Sequence, residues 1–91
     1  MAGMVRNYPN PFSRGTTIFF VTAKPGGVRL EIFDASGRRV RTLLNEFKTA
    51  GPHTCLWDGT DAMGGLVRSG VYFYSIRGGG ITAEKRMVLV E

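Results

Sequence analysis

Strict alternation of apolar and polar positions is the clearest signal along this chain. Between Val28 and Phe33, Val28, Leu30 and Ile32 fall on one side of an extended segment and Arg29 and Glu31 on the other. That is the period-two pattern of a half-buried strand. Thr16 to Ala23 reads the same way, with Ile18 and Phe20 on one face and Phe19 and Val21 on the other. Arg38 to Leu44 is predicted to be a return strand whose Arg39 and Arg41 face solvent beside Val40. Thr54–Trp57, Leu66–Arg68, Val71–Arg77 and Thr82–Val90 complete a predicted set of strands, with Asn45–Ala50 as a connection.

Turn formers punctuate these runs. They include Lys24-Pro25-Gly26-Gly27, Asp34-Ala35-Ser36-Gly37, Asp61-Ala62-Met63-Gly64-Gly65 and Gly78-Gly79-Gly80, residues that accept positive φ or satisfy their own backbone. Asn7-Tyr8-Pro9-Asn10-Pro11-Phe12 cannot be helical, because each proline pushes the residue before it toward extended geometry. No segment carries the 3.6-residue period of a helix, and no internal repeat is visible. Seven strands at this spacing predict an all-β two-sheet sandwich. Its expected core is Ile18, Phe20, Val28, Leu30, Ile32, Val40, Leu43, Cys55, Trp57, Val71, Phe73, Val88 and at least one of Tyr72 and Tyr74.

Composition narrows the function classes. A chain of 91 residues has room for one core. Residues 1–6 read as a cloning scar or linker, with Met1-Ala2-Gly3-Met4 unlike a signal peptide, and 7–91 as a single domain. One Cys and one His exclude a disulfide framework, a multi-cysteine zinc site and a two-histidine metal site. No apolar run approaches the roughly 20 residues that span a bilayer. The net charge of +5 invites a nucleic-acid reading. The arginines are spread along the chain, however, and the single cluster Arg38-Arg39-Val40-Arg41 has no interleaved aromatics. A solvated strand face is the reading taken here, with anionic polysaccharide or lipid headgroups left open as partners.

Three constellations carry candidate chemistry. His53 and Cys55 share a strand face, as a nucleophile pair would. Free Cys more often packs as a small hydrophobe, which places Cys55 in the core and His53 at its rim. Trp57-Asp58-Gly59-Thr60-Asp61 offers two carboxylates and a hydroxyl. These are few for calcium, which takes six to eight oxygens, and suit turn capping with Trp57 as anchor. Tyr72 and Tyr74 lie on one face, either as a stacking platform for sugar or as core residues of a covered strand. Gly78-Gly79-Gly80 lacks the Lys-Ser/Thr and helix of a phosphate loop.

The order of the motifs says more than any one of them. Asn7-Tyr8-Pro9-Asn10-Pro11-Phe12 precedes Thr16-Thr17-Ile18, then a Val-x-Leu-x-Ile-Phe-Asp-x-x-Gly-Arg-x-Val-Arg-Thr-Leu run over residues 28–43. Gly51-x-His53-x-x-x-Trp57-Asp58-Gly59-x-Asp61, Gly64, Ser69-Gly70-Val71-Tyr72-Phe73-Tyr74 and Lys85-x-Met87-Val88-Leu89 follow. From residue 7 to 90 this resembles the type A C-terminal sorting domain of type IX secretion cargo, which is itself similar to the immunoglobulin-like domain of the flagellar hook-capping protein.

The resemblance implies a seven-stranded immunoglobulin-like (Greek-key) sandwich with no catalysis and no cofactor. It implies an N-terminal cargo domain, capture by the outer-membrane secretion machinery, a surface sorting peptidase, and an exported product at the outer-membrane surface or outside the cell. The expected recognition element is the last strand, Lys85, Arg86, Met87, Val88, Leu89 and Val90, offered as a free edge with two cations for steering. The expected structural motif is Trp57, Asp58, Gly59, Asp61, Gly70 and Tyr72. The chain departs from the family in ending Leu89-Val90-Glu91, where the family tends to carry a basic residue. A hook-capping assembly domain and a carbohydrate-binding accessory module are the alternative readings.

Overall fold

The computed structural model describes residues 3–90; Met1, Ala2 and the terminal Glu91 lie outside them. Its strands are β1 (Val5–Tyr8), β2 (Thr16–Thr22), β3 (Gly26–Asp34), β4 (Arg39–Lys48), β5 (Gly51–Trp57), β6 (Gly70–Gly78) and β7 (Ile81–Leu89). They form a three-stranded sheet, β1-β2-β5, and a four-stranded sheet, β4-β3-β6-β7. Every neighbouring pair is antiparallel. This is an immunoglobulin-like sandwich, with the chain passing between sheets after β2, β4 and β5.

The core sits between the sheets. Ile18 and Phe20 from β2 and Trp57 from β5 face Val28, Leu30 and Ile32 from β3 and Tyr72, Tyr74 and Ile76 from β6. Trp57 is fully buried and takes edge-on contacts from Phe12 on one side and Tyr72 on the other, with ring centroids 5.6 and 5.4 Å away. Val40, Leu43 and Cys55 pack against this cluster at its margin.

Several sequence expectations are corrected. Val71, Phe73 and Val88 are not core residues: Val71 is exposed, and Phe73 and Val88 are half-buried on the outer face of their sheet. The first half of β6, Val71 to Tyr74, is apolar on both faces, and only Ser75 and Arg77 towards its end mark the Val71–Phe73 face as the outer one. The two-residue turn Gly79-Gly80 pairs Gly78 with Ile81 and, along the ladder, Tyr72 with Met87. Burying the tyrosines therefore turns Met87 and Leu89 inward and Val88 outward.

Arg41 does not face solvent as Arg39 does. Register shifts at Leu30/Glu31 and Ile32/Phe33 place Arg41 opposite Ile32, on the inward side. Beyond the bulges, Asn45–Lys48 pair in regular register with Arg29–Gly26, which carries β4 through Lys48 and across the predicted connection. Leu66–Arg68 is not a strand; Leu66 makes one isolated bridge to Thr60. The seventh strand is instead β1, which begins at Val5 within the stretch read as a scar or linker. Gly3 continues its pairing, its N–H donating to Val21 O at 3.0 Å.

Candidate recognition surface

The terminal strand β7 borders its sheet, with β6 on one side only. Its even-numbered residues turn their backbone groups away from β6. At the C-terminal end these groups meet the segment that follows β1. Phe12 N–H donates to Val88 O at 2.9 Å, and Val90 N–H donates to Phe12 O at 2.7 Å, a short parallel bridge centred on Leu89. Asn10 adds its side chain, accepting Val88 N–H at Oδ1 (3.0 Å) and donating from Nδ2 to Arg86 O (3.4 Å). Pro9 and Pro11 flank Asn10 and have no N–H of their own to satisfy. The Phe12 ring then drops into the core against Trp57.

The predicted recognition residues accordingly divide. Met87 and Leu89 are core anchors. Val88 lies half-buried on the outer face. Lys85, Arg86 and Val90 remain exposed. The edge from Arg86 O to Val90 N–H is closed by Asn10 and Phe12, so a free edge spanning Lys85 to Val90 is not what the fold presents. The sequence marks Asn10 and Phe12 as non-helical and as part of the opening motif of the resemblance, but not as partners of the last strand. The prolines either side of Asn10 were the one local hint that its side chain replaces a backbone donor.

The predicted structural motif is assembled as a unit. Asp58 Oδ1 accepts Thr60 N–H at 3.1 Å and Thr60 Oγ1–H at 2.6 Å. Asp61 Oδ1 accepts the N–H groups of Met63 and Gly65 at 2.9 and 3.0 Å. Both carboxylates thus cap their own turns. Arg41 donates to Thr60 Oγ1 at 2.7 Å and stands 3.8 Å from Asp58 Oδ1, which ties β4 to the loop. Trp57 Nε1–H donates to Thr60 O at 2.9 Å. Gly59 O accepts Val67 N–H at 3.0 Å. Tyr72, two residues after Gly70 opens β6, donates its hydroxyl to Arg68 O at 2.6 Å. That reach of four residues back along the chain is the tyrosine corner of β-sandwiches.

The other two constellations are structural. Tyr74 is buried and donates to Asn7 Oδ1 at 3.3 Å, and burial pushes its hydroxyl up to about 12. With Tyr72 also buried, the two form no platform for sugar, which corrects the stacking reading. His53 and Cys55 do share the inner face of β5. The His53 ring nitrogen lies 2.7 Å from Thr49 O and the ring sits over Phe20. Burial pushes the Cys55 thiol up, the opposite of what an activated nucleophile needs.

The sequence model of the FlgD Ig-like domain matches residues 13–79. The chain belongs to that family. Its match covers β2 through β6 and leaves the Asn10 clamp outside. Among solved structures, this FlgD Ig-like domain is similar to PorU of Porphyromonas gingivalis in its dimeric latent form, with TM-score 0.70 and 24% identity over 94% of this chain. It is similar to PorZ, an essential bacterial surface component of the type-IX secretion system of the same organism, with TM-score 0.66 and 22% identity over 96% of this chain. It spans only 9% of the PorU chain and 11% of the PorZ chain. FLGD from P. aeruginosa matches with TM-score 0.63 and 19% identity over 96% of this chain and 73% of its own. These likenesses establish a shared fold. No curated protein matches the sequence.

Proposed function

We propose that this FlgD Ig-like domain is a non-catalytic C-terminal sorting module. It travels behind a cargo domain and is captured by the outer-membrane type IX secretion machinery. A surface peptidase then removes it, at the outer-membrane surface or outside the cell. The observation that carries this reading is one of proportion: nearly the whole chain matches about a tenth of PorU and of PorZ, proteins of the size that carry appended modules. A fold whose β1–β2 connection locks its last strand suits an appendage that has to fold beside any cargo. The side chains that could do chemistry are committed to turns and core contacts.

The test is a fusion of the chain to the C-terminus of an inert periplasm-directed reporter in a host with a type IX system. Reporter at the surface or in the medium, lost in a translocon mutant, is the expected result. Reporter held in the periplasm with the domain folded, while a native tag exports normally, would overturn it. The second reading is an assembly domain of a hook-capping protein. The family match and the 73% coverage of FLGD favour it, and it predicts incorporation into hook assemblies without export of the reporter.

A further inference from the structure

Four strand edges border the two sheets among the described residues: β1, β5, β4 and β7. Three of them resist docking. β1 is four residues long. β5 carries Pro52, which has no N–H to give. β4 is bent by its two register shifts. β7 alone runs nine residues in unbroken register with its neighbour. The chain itself closes that edge from Arg86 O onward with Asn10 and Phe12. The outward N–H and C=O of Thr82 and Glu84, and the N–H of Arg86, meet no other part of the chain among the described residues.

We propose that Thr82–Arg86 is a docking edge that takes an extended, acidic strand of a partner protein by β-augmentation. This deepens the sorting reading: that reading supplies the partner's setting, and the edge supplies the chemistry of the contact. Glu84, Lys85 and Arg86 are all exposed, and none is in an ion pair among the described residues. An antiparallel partner complements them with acids opposite Arg86 and Lys85 and a base opposite Glu84.

A second copy of the domain fits poorly. The twofold register centred on Glu84 sets that carboxylate against itself. The register that pairs Glu84 with Arg86 sets Lys85 against Lys85. Each copy also carries a net charge of +5. The clamp limits what can be added, because a docking strand runs into Asn10 beyond Arg86. A contact this short is releasable, as capture followed by hand-over requires.

The test is a titration of the isotope-labelled domain with the peptide acetyl-Glu-Glu-Lys-Val-Thr-amide, followed by amide NMR. Saturable shifts confined to Thr82–Arg86 are expected, with the charge-reversed peptide acetyl-Lys-Lys-Glu-Val-Thr-amide weaker by about ten-fold. Glu84→Pro removes an outward donor and leaves the β6 ladder intact, so it should melt close to the parent and lose the peptide. If Glu84→Pro does not fold, Glu84→Lys serves instead: it should come to prefer a peptide with Glu at the third position.

Absence of saturable shifts at millimolar peptide, or unaltered binding by the folded variant, would overturn the proposal. Shifts that depend on protein concentration without peptide would assign the edge to a second copy. Export separates the two ideas. A Glu84→Pro fusion exported as well as the parent removes the edge and keeps the sorting role. A parent fusion that stays in the periplasm removes the sorting role, and the titration still decides the edge.

Discussion

Two connections into and out of β6 are held in opposite ways. The Asp58–Ser69 loop before it is built from side chains: Trp57, Thr60, Asp58, Asp61, Arg41 and Tyr72 each supply a hydrogen bond that fixes its path. The hairpin after it is built from missing side chains. Gly79 and Gly80 take φ of +61° and +82°, the paired left-handed conformations of a tight hairpin turn. Gly79 O accepts the N–H groups of Ala23 and Lys24, at 2.7 and 3.1 Å, which presses the hairpin onto the β2–β3 turn. A loop held by many modest bonds weakens step by step. A turn held by close backbone approach has no intermediate position.

The sharpest way to break this comparison is Gly78→Ala. A Cβ at Gly78 would lie 1.9 Å from Gly27 O, and its φ is +116°. The atom it meets is backbone, so relief requires β3 and β6 to part. Net stability for a domain this size is roughly 5–14 kcal/mol, and loss of cooperative folding is the expected outcome by circular dichroism and thermal melting. A variant that melts with a near-parental midpoint would show that the hairpin yields. Trp57→Ala comes next. Removing the ring that Phe12 and Tyr72 both contact should cost about 3–5 kcal/mol by denaturant titration. A nearly unchanged midpoint would remove Trp57 from the centre of the core.

The difference between these two regions also explains what the sequence made legible. Where one face of a strand carries charge, as with Arg29 and Glu31 in β3, alternation assigned the buried face correctly. In β6 the outer face carries Val71 and Phe73 before Ser75 and Arg77, so its polar signal comes only at the strand's end, and the hydroxyl bonds that hold the tyrosine face reach Arg68 and the distant Asn7. In β4 two bulges invert the parity, so Arg41 moves from expected solvent to the loop around Thr60. β1 buries Val5 alone, too little to make a pattern. The candidate site was half legible. Lys85 and Arg86 stand exposed as expected, whereas the Asn10 clamp joins residues 76 and 78 positions apart and has no local signature beyond its prolines.

Single bonds of the side-chain loop should give intermediate effects. Tyr72→Phe keeps the ring against Trp57 and removes only the hydroxyl donated to Arg68 O. A loss of about 1 kcal/mol in chemical denaturation is expected. Asn10→Ala should cost a similar amount, about 1 kcal/mol, because it frees Val88 N–H at an exposed edge where water can replace it. Its sharper readout is hydrogen exchange. Val88 N–H should lose protection while Tyr72 and Tyr74 keep theirs. Uniform loss across β6 would mean that the clamp supports the whole sheet.

The smallest effect separates the two connections by pH. The Thr60 hydroxyl, more than any other group, holds the Asp58 carboxyl below its ordinary 3.8; Thr60 N–H and Arg41 assist and partial burial opposes. A carboxyl depressed in the folded state contributes stability that is present above the unfolded value and lost as pH falls through the folded one. The hairpin glycines have no group to titrate. Acidification from pH 5 to pH 2 should therefore loosen the Asp58 loop and leave the Gly79–Gly80 turn as it was, in residue-resolved exchange followed step by step. Asp58→Asn should flatten part of the acid limb of the melting midpoint. Asp34 contributes a further part, because its carboxyl is lowered chiefly by the Ser36 hydroxyl and then by Arg38 N–H. An acid limb of unchanged slope in Asp58→Asn would mean that the Thr60 contact is as weak folded as its solvent exposure allows, and that the loop rests on Trp57 and Asp61 instead.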